Sequence, residues 1–168
     1  MDAVHIYLLL NHVPIIGTIF ATVLFAYAFL RRSDELKRLS MLLIVLAALV
    51  AIPVFLTGEP SEEAVEQLAG VDKGLIEQHE STGKLSLYLV LAAGILSMLG
   101  IILMRARKEI ARWFVFAALA MSAVSAVSMA VTGNLGGQIR HSEIRNSAST
   151  TTPSEQDTRR QRKDDDDH

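Results

Sequence analysis

The sequence predicts an all-α fold, an integral membrane four-helix bundle with a short external helix between spans two and three. Three observations predict it: four long charge-free stretches, two short basic connections between them, and an acidic segment in the middle of the chain. No residue carries a formal charge between Asp2 and Arg31, Arg38 and Glu59, Lys84 and Arg105, or Trp113 and Ile139. A hydrocarbon core roughly 30 Å thick needs about 20 apolar residues at 1.5 Å each. A buried helix of a soluble protein would normally show a charged face every turn, and these stretches show none. The spans are read at about 4–30, 39–57, 85–104 and 113–132, within a membrane bundle at 1–141.

The connections set the orientation. The segments 31–38 and 105–112 hold eight of the sixteen Lys and Arg residues, whereas Gly58 to Lys84 holds only Lys73 and Lys84 against seven acids. Short basic loops mark the cytoplasmic side. The expected location is therefore the bacterial cytoplasmic membrane, multi-pass, with both termini and the 58–84 loop on the outer side. Ala26-Tyr27-Ala28 mimics a signal-peptide cleavage site, but a positive leading region is lacking and the apolar run is too long, so the first span reads as uncleaved.

Within the external loop, Gly58-Glu59-Pro60 ends span two and Ser61 caps a short helix stopped by Gly70. Asp72 caps the next helix, which carries His79 on the face of Leu75 and Ile76 and leads into span three. Glu80 and Lys84 form a solvated i,i+4 pair. Residues 142–168 are Ser-, Thr-, Arg- and Asp-rich, end in Asp164–His168, and read as a disordered external tail.

Composition excludes several chemistries. With no cysteine there is no disulfide, iron–sulfur cluster or thiolate site. A net charge of -2 and 6% aromatics argue against nucleic-acid binding. No nucleophile–base pair, phosphate loop or carboxylate dyad is visible, so an electron-transfer or accessory role is preferred to that of a stand-alone enzyme.

The histidines carry the chemical content. His5 and His12 are two helical turns apart on span one, His79 precedes span three, and His141 follows Thr132-Gly133-Asn134-Leu135-Gly136-Gly137. By the orientation above all four are external. Counted from the inner ends, His5 and His79 stand level, roughly 37 Å up, and His12 is about two turns deeper and the most buried of the set. Pro14 is placed to bend span one beside it. Tyr7 and Trp113 read as anchors at opposite boundaries.

Three functions fit. The first is a membrane electron-transfer protein binding b-type haem, with His5 or His12 opposite His79, Arg140 and Lys84 near the propionates, and small residues such as Gly17, Ala93, Gly94 and Ser122 beside the ring. The second is a non-haem copper, zinc or iron site from His5, His12, His79 and His141. The third is a structural or assembly subunit of a membrane complex with no cofactor, whose small residues and Ser122, Ser125, Ser128 and Thr132 simply pack helices. The partners expected are the lipid bilayer, respiratory or redox subunits, and a second copy of the chain.

The segments Leu10-Asn11-His12-Val13-Pro14-Ile15-Ile16-Gly17, Leu56-Thr57-Gly58-Glu59-Pro60-Ser61-Glu62-Glu63 and Leu135-Gly136-Gly137-Gln138-Ile139-Arg140-His141 resemble those of small four-span bacterial membrane proteins. These in turn are similar to cytochrome b561-type bundles in helix count and outer histidines. The likeness covers about residues 5–145 and implies a membrane haem protein.

Overall fold

A computed structural model describes residues 7, 10–66, 73–106 and 112–140. Four helices follow in order: α1 (His12–Arg31), α2 (Asp34–Glu66), α3 (Lys73–Arg105) and α4 (Arg112–Arg140). All four are long and apolar enough to cross a membrane. Each packs on its sequence neighbour, and α1 also packs on α4, which closes an up-down-up-down ring.

The first turn of α1 contains Pro14, where the missing N–H has no intrahelical acceptor to lose. Pro14 is buried, and with Leu10 helical and Asn11 a turn the helical ladder is interrupted just ahead of it. At the other end Arg32 adopts the left-handed conformation, with φ of 53°. Its N–H donates to the Phe29 carbonyl at 3.3 Å and that of Ser33 to Ala28 at 3.1 Å, which closes the α1 carbonyls. Ser33 Oγ accepts the Leu36 N–H at 3.4 Å, and Asp34 and Glu35 occupy the positive end of α2. A two-residue connection thus reverses the chain between two spans.

The segment after span two is helical but not separate. α2 continues without a break through Gly58-Glu59-Pro60 to Glu66, so the expected short helix is the end of this 33-residue helix. Gly58 lies against the Tyr7 ring, with its Cβ position 3.7 Å from Cε2. The next helix starts at Lys73, directly after the expected cap Asp72. Asp72, Gly70, His5, His141 and the 142–168 tail lie outside the described residues.

The bundle is small inside and large outside. The fully buried set includes Thr18, Ala21, Ala28, Ser40, Ser86, Ala93, Ser97, Ala118, Ser122 and Ser125, with Phe25, Met41, Ile44 and Val90 as the largest apolar members. Leu30, Leu56, Val23, Tyr88, Ile95 and Val127 face outward, each more than half exposed. Lipid tails are as apolar as leucine, so bulky side chains gain little by turning inward, and close backbone approach through small residues drives association. Among the small residues expected beside a haem, Ala21, Ala93, Gly94, Ala118 and Ser122 are all buried in these helix contacts.

Candidate functional site

At the end of the bundle away from the basic connections, α3 and α4 meet the segment that precedes α1. The buried residues of α1 are Pro14, Thr18, Ala21, Phe25 and Ala28, a stripe stepping by three and four. Carried backward, the same steps land on Asn11 and Tyr7, both partly buried. His12 falls on the opposite side and is exposed. The expectation that His12 is the most buried histidine, aimed across the bundle at His79, is therefore corrected: two residues from Pro14 is 200° around a helix.

The inward partner of His79 is Tyr7. Tyr7 Oη stands 3.2 Å from His79 Nε2, and His79 Nδ1 stands 3.0 Å from the Thr132 carbonyl oxygen. A carbonyl can only accept, so Nδ1 carries the proton and donates to Thr132. Nε2 then holds the lone pair and accepts from the tyrosine hydroxyl. Close approach depends on glycine, because a Cβ on Gly136 would lie 3.1 Å from His79 Cε1.

Thr132 joins this pair to a second layer of hydroxyls. Ser86 Oγ meets Thr132 Oγ1 at 2.8 Å and Ser128 Oγ at 2.6 Å, and Thr132 Oγ1 also bonds the Ser128 carbonyl. Ser122 donates to Ala118 of its own helix, and Thr22 of α1 donates to the Ser122 carbonyl. Within the polar track of α4, Ser122, Ser128 and Thr132 are thus bonded to their own helix or to a neighbour. Ser86→Ala is expected to lower stability by about 1 kcal/mol, the scale of an interhelical hydrogen bond in a bundle of this kind. Thermal unfolding in detergent reads it, and a double-mutant cycle with Ser128→Ala apportions it.

Some buried polar atoms have no partner among the described residues: Asn11 Oδ1, Thr18 Oγ1, Ser97 Oγ and Ser125 Oγ. Asn11 follows one turn after Tyr7, and its N–H donates to the Tyr7 carbonyl at 2.8 Å. Lys84, expected near a propionate, is paired with Glu80 as its i,i+4 spacing predicts.

Of the histidines among the described residues, His12 and His79 do not converge. His12 points away from His79, and among the described residues no three of His, Asp and Glu come together as metal ligands. His5 and His141 lie outside the described residues, as does the Arg140 side chain. Sequence reasoning missed Tyr7 and Asn11. The signal that finds them is the Thr18-Ala21-Phe25-Ala28 stripe of small and buried positions, extended toward the N-terminus.

No curated protein and no solved structure matches the chain. One family description does match, over residues 5–143, which takes in the bundle, all its connections and the four histidines ahead of the tail. The chain belongs to the family described as predicted membrane protein (DUF2231).

Proposed function

We propose that this chain is an electron-transfer protein of the bacterial cytoplasmic membrane. In this reading His79 Nε2 would hold a b-type haem at the Tyr7–His79–Thr132 end of the bundle, in place of its contact with the Tyr7 hydroxyl. The tautomer carries the proposal. An imidazole whose Nδ1–H is fixed on a backbone carbonyl has its Nε2 lone pair oriented for a metal, the usual outer-shell arrangement of a ligating histidine. When bound, the haem supplies a one-electron carrier.

The chain's own residues do the positioning. Thr132 orients the ring, Gly136 leaves room beside it, and Tyr7 offers a hydroxyl next to the ligand atom. His141, five residues after Gly136, and His5, which precedes Tyr7, are the histidines left to supply a second ligand. Arg140 is the residue left for a propionate once Lys84 pairs with Glu80. The basic connections support an outward-facing site by the positive-inside rule. The likeness to cytochrome b561-type bundles in helix count agrees with this reading.

A second reading is a cofactor-free structural or assembly subunit. It is favoured by the fact that both His79 nitrogens already have partners within the chain. One preparation separates the two. The full chain, purified in detergent, is expected to show a Soret band that shifts on reduction and about one iron per chain. His12→Ala is expected to leave that spectrum unchanged, because His12 is exposed on the far side of α1. No Soret band and no iron overturns the haem proposal. Stoichiometric copper or zinc would then point to the metal reading, and a featureless spectrum with co-purifying subunits to the assembly role.

A further inference from the structure

At the opposite end of the bundle, the end of α1, the start of α2 and the start of α4 enclose a groove of about 370 Å³. Its lining divides in two. Phe29, Leu30 and Val115 form an apolar floor, and Arg32, Lys37 and Arg112 supply three cations. Asp34 offsets them in part, its carboxylate bonding Lys37 Nζ at 2.9 Å; that carboxylate is 72% exposed, so the pair is held only weakly against a competing anion. Arg38, the neighbouring cation, is committed elsewhere, donating to the Met104 carbonyl at 3.2 Å.

The groove opens onto lipid-facing surface. Leu30 is 79% exposed, and Trp113 and Phe116, on the same turns of α4 as Arg112 and Val115, are 71% and 60% exposed. The Phe29 and Phe116 rings stand 6.4 Å apart, so the floor continues as an aromatic surface. A tryptophan beside an arginine at a helix end is the usual marker of the headgroup level.

We infer that this groove is a binding site for one anionic phospholipid of the adjoining leaflet, its phosphate held by Arg32, Lys37 and Arg112 and an acyl chain laid over Phe29, Leu30 and Val115. Charge complementarity selects the headgroup. Two guanidinium groups and an ammonium match phosphate oxygens, and they disfavour a lipid whose phosphate is masked by its own choline. The apolar floor selects an amphiphile over free phosphate, which would leave Phe29 and Leu30 uncovered. Basic pockets between spanning helices are where such headgroups bind. The inference does not depend on the haem proposal.

The chain's single tryptophan, Trp113, is the reporter. The full chain is reconstituted in nanodiscs of phosphatidylcholine containing a small fraction of either brominated phosphatidylglycerol or brominated phosphatidylcholine. The glycerol lipid is expected to quench Trp113 at a much lower mole fraction, and each basic side chain contributes about fivefold to that preference. Arg112→Gln should reduce the preference about fivefold, and the R32Q/K37Q/R112Q variant should abolish it while its helical circular dichroism stays unchanged. Should the triple variant fail to fold, native mass spectrometry of the wild-type chain and R112Q reads the same preference as retained anionic lipid. Equal quenching by the two lipids overturns the inference, as does a preference that survives the triple substitution. Loss of the preference on adding millimolar inorganic phosphate at constant ionic strength also overturns it, by assigning the cations to free phosphate.

Discussion

Gly94→Leu is expected to destabilise the bundle more than any other glycine substitution in it. A Cβ at Gly94 would stand 2.8 Å from Ala48 Cβ, an atom with no side-chain torsion to move it aside, so α2 and α3 must separate. Overpacking of a closely fitted interior costs about 1–3 kcal/mol, and a whole isobutyl group at this contact belongs at the upper end of that range. Gly100 provides the contrast. Its Cβ would also meet a neighbour at 2.8 Å, but the neighbour is the flexible Met41 side chain, so Gly100→Ala should cost clearly less. Gly137 closes the series, with nothing within 4 Å of its Cβ position. Gly137→Ala should stabilise α4 by about 0.8–1 kcal/mol, the helix-propensity difference between the two residues. Unfolding of the three variants in one detergent, followed by circular dichroism, tests the order. Equal stability of Gly94→Leu and the wild type would mean that the α2–α3 contact is not as close as described.

His79→Gly is expected to remove the haem spectrum completely, and free imidazole should restore it. In the iron-free chain substitution takes away the bonds to Tyr7 and Thr132; in the loaded chain it takes away the bond to Thr132 and the Nε2 ligand atom, whose single lone pair cannot serve iron and Tyr7 at once. Interhelical hydrogen bonds in membranes contribute about 0.6 kcal/mol on average, so losing two leaves most of the bundle intact. Spectral loss is therefore not an unfolding artefact, and a thermal transition near that of the wild type checks this directly. Rescue by imidazole distinguishes a ligand from a packing residue, since a small molecule can refill a coordination position without restoring the covalent link to α3. Tyr7→Phe is the milder companion. It removes the hydroxyl beside Nε2 while keeping the ring against Gly58, so a haem spectrum should persist with a shifted reduction potential. A His79→Gly protein that retains the wild-type spectrum would show that iron is held elsewhere.

Much of the fold is legible in the chain because the membrane signal is one-dimensional. A charge-free run such as 85–104 has one low-energy arrangement in lipid, a helix that satisfies its own backbone. The i,i+4 pair of Glu80 and Lys84 and the bonds of Ser122 and Thr132 to carbonyls of their own helix are equally local, and the structure has them where the spacing puts them. The end of α2 was less legible. Gly58-Glu59-Pro60 reads as a stop, yet the helix continues to Glu66, and at Gly58 it meets Tyr7, some fifty residues earlier in the chain.

The candidate site divides the same way. His79 was recognisable from its place beside Leu75 and Ile76, since three- and four-residue steps fix a shared face within one helix. His12 was misplaced because the face of α1 that turns inward is chosen by small residues, not by polar ones. Thr18, Ala21 and Ala28 admit the neighbouring helices, and that choice sends His12 outward and Tyr7 and Asn11 inward. Sequence by itself determined the number of spans, their basic and acidic ends and the absence of cysteine chemistry, all of which follow from charge, length and residue type. Only tertiary structure decided which ring meets His79 and which cations share a groove, because those depend on how each helix is rotated about its axis, and rotation is set by close contact between helices that the linear order does not record.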